Sequence, residues 1–115
     1  MNKRLTAILA HIADGAGVID VGTDHGYIPA ALFQRGYPGN IIASDINSGP
    51  LESARRTAES AGALDGIEFL LCDGLEKCDG SKIDTIVIAG MGGDTICGIL
   101  DRAEWCMDAR YLLIL

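Results

Sequence analysis

Four short clusters of acidic, glycine and small polar residues carry most of the chemistry open to this sequence. They are Asp20-Val21-Gly22-Thr23-Asp24-His25-Gly26-Tyr27-Ile28-Pro29, Asp45-Ile46-Asn47, Cys72-Asp73-Gly74-Leu75 and Ala89-Gly90-Met91-Gly92-Gly93-Asp94. Each follows an apolar run. Glycine lets the backbone turn sharply and approach a ligand with no Cβ in the way. A carboxylate accepts hydrogen bonds from hydroxyls and amines and attracts cations. Any one cluster also reads as a tight turn, with Asp45 as a surface helix cap. Four of them at successive strand ends argue for one shared ligand site.

The spacing narrows the ligand. Asp45 stands 25 residues after Asp20, close to the ~20-residue interval at which an acid binds ribose hydroxyls in nucleotide folds. A nucleoside-containing cofactor is implied. The first turn is not Gly-x-Gly-x-x-Gly, because Gly22 and Gly26 flank Thr23-Asp24-His25. A pyrophosphate needs a helix N-terminus free of negative charge, and Asp24 would repel it. S-adenosylmethionine has an adenosine, a cationic sulfonium and no phosphate, and the same carboxylates favour it. Asp73 is placed to accept a hydrogen bond from the adenine amine. A nicotinamide-dependent oxidoreductase is the rival enzyme, opposed by Asp24 and the missing glycine pattern. A non-catalytic cofactor-binding module is the rival outside enzymes.

Apolar periodicity supplies the elements that must hold these clusters. Leu5, Ile8, Leu9 and Ile12 mark one face of a short helix. Val18–Val21 and Ile41–Asp45 read as strands, separated by a helix with Pro29 in its first turn and Gly36 at its end. Gly49-Pro50 opens a helix whose face is Leu51, Ala54, Ala58 and Ala61, with Gly62 after it. Ile67–Leu71 and Asp84–Ala89 are the third and fourth strands, joined by a short crossover over Gly74 to Lys82. A helix with Ile96, Ile99, Leu100 and Ala103 precedes a fifth strand, Tyr111–Leu115. Strands apolar on both faces and alternating with helices describe an α/β fold, a doubly wound and mainly parallel sheet. Ligands then bind beyond the carboxyl ends of the strands, where the clusters collect.

The 115 residues suit one domain, and 49% hydrophobic against 22% charged residues allow a buried core. A net charge of -7 and 5% aromatic residues argue against a basic or stacking nucleic-acid surface on this segment alone. No apolar run is long enough to span a bilayer, and His11 and Asp14 interrupt any leader-like stretch. The expected location is the cytoplasm. Cys72, Cys78, Cys97 and Cys106 form no Cys-x-x-Cys pair and read as reduced, mostly buried thiols, with no metal site assigned. The last strand ends without a polar stop, so the expectation is a piece of a longer chain whose final strand is an unprotected edge liable to pair with another copy.

Val18 to Pro29, with its Asp-x-Gly-x-Asp-His-Gly-Tyr-x-Pro run, resembles the first motif of the bacterial tRNA adenine-N1 methyltransferases that modify position twenty-two. Ser44-Asp45-Ile46 with Gly49-Pro50-Leu51, Cys72-Asp73-Gly74-Leu75 and Ala89-Gly90-Met91-Gly92-Gly93 resemble that family in order and spacing. The resemblance implies a Rossmann-like class I methyltransferase fold, S-adenosylmethionine as cofactor and tRNA as substrate. It also implies a chain about twice as long, with most tRNA contacts outside this segment. This segment should then bind cofactor and methylate tRNA feebly or not at all.

Carried over, Gly22 and His25 lie near the methionine moiety, Asp45 holds the ribose, and Asp73 and Gly74 border the adenine. Gly90 and Met91 line the passage to the acceptor, and Asp20 and Ile46 complete the cofactor-binding set. Asp24 and Tyr27 are the candidates for the catalytic, acceptor side. Blander readings stand beside these. His25 caps the following helix, Tyr27 is a core aromatic with a wet hydroxyl, Met91 fills a gap, and Asp20 only organises its loop through hydrogen bonds to backbone amides.

Overall fold

Strands buried on both faces require cover on both, and the computed structural model of the chain supplies it. The structure describes residues 2–115; Met1 lies outside the described residues. In chain order the elements are α1 (Lys3–Ala10), β1 (Gly17–Val21), α2 (Tyr27–Arg35), β2 (Asn40–Asp45), α3 (Ser48–Ser60), β3 (Glu68–Leu71), β4 (Thr85–Val87), α4 (Gly93–Asp101) and β5 (Leu112–Ile114). Single 3-10 turns lie at Leu64–Gly66, Gly80–Lys82 and Glu104–Met107. The sheet order is β3-β2-β1-β4-β5, with every neighbouring pair parallel. This is the doubly wound sheet expected from the alternation of strands and helices.

Register and period-two alternation split the core into two layers. Ile19 pairs with Ile42 on one side and Ile86 on the other. All three face a layer containing Val21, Ile88, Ile99 and Cys106. Val18, Ile41 and Val87 face the opposite layer, against Ile28, Leu32 and Ala58. The chain runs outward from β1 through β2 to β3, then crosses back to lay β4 on the other side of β1. The crossover is short, as expected, with Leu75 and Ile83 buried beneath it and no α-helix. Strand order therefore reverses between β1 and β4, and the turns leaving their carboxyl ends diverge.

The ends of elements differ from the sequence expectation in physical detail. The fourth strand is Thr85–Val87 rather than Asp84–Ala89, because the chain swings away at Gly90, where φ is +85°. Ile88 nevertheless donates to the Ile114 carbonyl at 2.9 Å. The edge strands β3 and β5 are shorter than read, and Leu71 and Leu112 are about half exposed. Helix α4 stops at Asp101, and Ala103 is buried by the following turn. Cys72 and Cys106 are buried free thiols, whereas Cys97 is exposed and so departs from the buried reading. Among the described residues no group of three potential metal ligands gathers, and no helix is long and apolar enough to cross a membrane.

Helix α1 is fastened unevenly. Asn2 accepts a hydrogen bond from the Leu5 N–H at 2.9 Å, capping its start. None of its residues is fully buried. Arg35 of α2 donates to the carbonyls of Leu9 at 3.0 Å and Ile12 at 2.8 Å, which holds the far end of the helix.

Candidate active site

The turns after β1, β2 and β4, roofed by the first half of α1, enclose a cleft of about 430 Å³ at the carboxyl end of the sheet. Nine of the residues singled out in the sequence line it: Asp20, Gly22, Asp24, His25, Tyr27, Asp45, Ile46, Gly90 and Met91. They come from three separate segments, and the reversal of strand order brings them together.

Asp45 ends β2, buried apart from 7% of its surface. Its Oδ2 accepts the Asp24 N–H at 3.2 Å and its Oδ1 accepts the Asn47 N–H at 3.0 Å. Each carboxylate oxygen has about two lone-pair sites, so both keep capacity for a further donor. A carboxylate clamped by two backbone amides, with an acceptor site left on each oxygen, suits a pair of vicinal hydroxyls.

Asp20 sits one strand away on β1 and accepts the Thr23 hydroxyl at 2.9 Å. Burial pushes its carboxyl up to about 7; the Thr23 hydroxyl works against that rise, and the nearby Asp45 carboxylate adds to it. The reading of Asp20 as a loop organiser is met in part, through a side-chain hydroxyl rather than backbone amides. Gly22 takes φ of +69°, and a Cβ there would overlap the terminal methyl of Met91. The turns after β1 and β4 thus touch because residue 22 has no side chain.

At the mouth stand Asp24, His25 and Tyr27. Asp24 is the one non-glycine residue with positive φ among the described residues, at 55°. Its N–H reaches Asp45 from that conformation. His25 does not cap α2, whose cap position is Gly26; instead its Nδ1 lies 3.0 Å from Ser53 Oγ on α3. Tyr27 is 50% exposed, not a core aromatic, and its ring lies 5.4 Å from that of His25.

The chain as a whole also matches a known family. The methyltransferase domain family matches residues 1–115. The chain belongs to that family.

The methyltransferase domain is 36% identical over 115 residues to the tRNA (adenine(22)-N(1))-methyltransferase of Bacillus subtilis, covering all of this chain and 48% of that protein. The crystal structure of the B. subtilis m1A22 tRNA methyltransferase TrmK superposes with a TM-score of 0.88 at 34% identity, over 98% of this chain and 48% of that one. Sp1610 of Streptococcus pneumoniae, crystallised in complex with S-adenosyl-L-methionine, gives a TM-score of 0.87 at 34% identity, over 98% and 53%. The methyltransferase domain spans about half the length of these relatives. The Rossmann-like class I fold expected from the resemblance is the fold observed.

Two of the sequence candidates lie elsewhere in the methyltransferase domain. Asp73 and Gly74, read as bordering the adenine, do not line the cleft. Asp73 accepts from Arg102 at 3.0 Å, and Gly74 packs against Ile99 of α4. Residues given no individual site role from sequence also line it, notably Arg4, Leu5 and Ile8 of α1 with Thr23, Asn47 and Pro50. The apolar stripe of α1 was legible, but a stripe says only that a helix covers something. Arg4 had no signal in sequence at all.

Proposed function

We propose that the chain forms the cofactor half of an S-adenosylmethionine-dependent methyltransferase that methylates N1 of an adenine in tRNA, a cytoplasmic substrate. The observation that carries the cofactor reading is Asp45, clamped by backbone amides with an acceptor site remaining on each oxygen. Three carboxylates line the cleft, which disfavours a dinucleotide pyrophosphate and suits a cationic ligand. The names of the relatives support tRNA adenine as acceptor.

S-adenosylmethionine, when bound, supplies an electrophilic methyl group on a sulfonium. The domain's part is to hold and align, since methyl transfer is an in-line displacement. Asp45 fixes the ribose, and the Gly22–Met91 contact shapes the floor. Adenine N1 has a free lone pair, so no residue has to act as its base. Tyr27, half exposed at the mouth, offers a ring for a base turned out of its helix to stack on. Asp24, with its side chain 67% exposed beside the cleft, faces the charge that develops on the methylated adenine.

Asparagine tolerates positive φ as aspartate does, so Asp24→Asn tests charge alone. In the full-length enzyme it is expected to lower kcat by about a hundredfold, while the cofactor Kd moves less than about threefold. Equal losses in both would put Asp24 in the cofactor shell. Methyl transfer to unmodified tRNA is the assay, and no transfer by a longer natural chain would overturn the reading.

Asp20 predicts a pH dependence. Its folded-state carboxyl titrates at about 7, and a cationic ligand favours the carboxylate, so affinity should rise with pH through that value and level off above it. Asp20→Asn should bind weakly at every pH, with a flat profile across about pH 6 to 8. Titration calorimetry in matched buffers reads both, and a wild-type profile as flat as the variant's would remove Asp20 from the ligand's surroundings.

A further inference from the structure

The net charge of -7 is unevenly spread. Helices α1, α2 and α3 cover one face of the sheet, and they carry Lys3, Arg4, Arg35, Arg55 and Arg56 against Glu52 and Glu59. The segments on the opposite face, 72–82 and 93–110, carry four lysines and arginines against seven acids. A polyanion is therefore drawn to the three-helix face and turned away from the other. Tyr27, the first residue of α2, sets the mouth of the cleft at the edge of that face.

On the same face lies a groove of about 570 Å³ between the three helices. Ala30, Ala31 and Ala61 line it, and their short side chains leave its space open. Asn2, Gln34, Thr57 and Ser60 bring amides and hydroxyls, and among the described residues no charged side chain lines it. Asn2 uses its Oδ1 on the Leu5 N–H, which leaves its NH2 group to donate. The Thr57 hydroxyl donates to the Ser53 carbonyl, which leaves its oxygen to accept. Gln34, exposed on α2, offers a donor and an acceptor side by side. Leu5 and Tyr27 line both this groove and the cleft, so the two spaces meet at the Tyr27 ring.

The lining discriminates among occupants. A phosphate needs a cation or a row of N–H donors, and an amphipathic helix needs a broad apolar strip. A nucleobase is flat, neutral and edged with donors and acceptors. In single-stranded RNA such bases are held by aromatic rings and by hydrogen bonds to their edges. An adenine turned out for methylation also leaves its neighbour unstacked on one side. We propose that the groove between α1, α2 and α3 takes the base adjacent to the target adenine, as a second base pocket beside the cleft; this rests on the tRNA reading above. The arginines and lysines of the face then meet the backbone phosphates.

Dinucleoside monophosphates that carry each of the four bases on either side of adenosine are the probes, with adenosine alone as the reference. NMR of the 115-residue chain reads them, with excess S-adenosylhomocysteine filling the cofactor site. A base on one side should gain about tenfold in affinity over adenosine alone, and those probes should shift the Ala31 methyl and the Gln34 amide. Ala31→Met fills the groove and should erase that gain, whereas Gln34→Ala should narrow the differences among the four bases. Unchanged binding of S-adenosylhomocysteine shows that both variants are folded. A gain that survives Ala31→Met belongs to the added phosphate and overturns the pocket, as do probes that bind no tighter than adenosine. In the full-length enzyme, Ala31→Met should raise the KM for tRNA about tenfold at unchanged kcat. A wild type that methylates tRNA beside a variant with the same KM overturns the pocket and leaves the tRNA reading standing. A wild type that transfers nothing overturns both.

Discussion

Replacing Asp45 with alanine is expected to weaken S-adenosylmethionine binding by ~1.5–3 kcal/mol, about 10- to 150-fold. The loss has two sources. One is the charge-assisted hydrogen bonds to the ribose. The other is the clamp itself, because the Asp24 and Asn47 N–H groups lose their shared acceptor and the turns after β1 and β2 lose their link. Asp45→Asn keeps one carbonyl acceptor and should lose less. Calorimetric titration of the folded variants decides it, and an unchanged affinity in Asp45→Ala removes the ribose assignment.

The second large effect is on stability. Gly26 has φ of +73°, and a Cβ there would lie 2.8 Å from the Ala54 Cβ and 2.9 Å from its Cα. The left-handed backbone costs an alanine about 1–2 kcal/mol, and forcing α2 away from α3 adds about 1–3 kcal/mol. Gly26→Ala should therefore destabilise by about 3 kcal/mol and lower the thermal midpoint by roughly 10 °C. Gly36 separates the two contributions, since it has φ of +82° with nothing within 4 Å of its would-be Cβ. Gly36→Ala should cost about 1–2 kcal/mol. Equal midpoints for the two variants would show that α3 yields freely and that the close approach is unimportant.

The sheet was legible because its evidence is local. Ile19, Ile42 and Ile86 sit in short runs dominated by apolar residues, the composition favoured by a strand buried on both faces. The place of Asp45 beside the cleft was legible from its position closing the second strand, 25 residues after Asp20. What escaped depends on distant pairs. The hydrogen bond of Asp73 to Arg102 joins residues 29 apart, with no pattern linking them. Nothing local makes the Asp24 N–H a donor to Asp45, 21 residues away. The hold of Arg35 on the Leu9 and Ile12 carbonyls, which ties down the far end of α1, is a side-chain contact that periodicity does not encode. The lengths of β3 and β5 were overread because an apolar run continues past the point where an edge strand loses its partner.

The placing of β4 beside β1 has a consequence for how the chain comes to have a site at all. Val18 pairs with Thr85, and Ile19 with Ile86, so the central ladder joins segments separated by two α-helices and two strands of intervening chain. Hydrophobic contact between β1 and β2 can form early, over a short loop. The floor contact of Gly22 with Met91 cannot exist until that distant ladder has closed, at the entropic cost of a long loop. On the ribosome, the first ninety or so residues must therefore have emerged before the cleft takes shape. Until then its carboxylates belong to a nascent half-sheet with β1 exposed along one edge, the interval in which the chain is most open to misassociation.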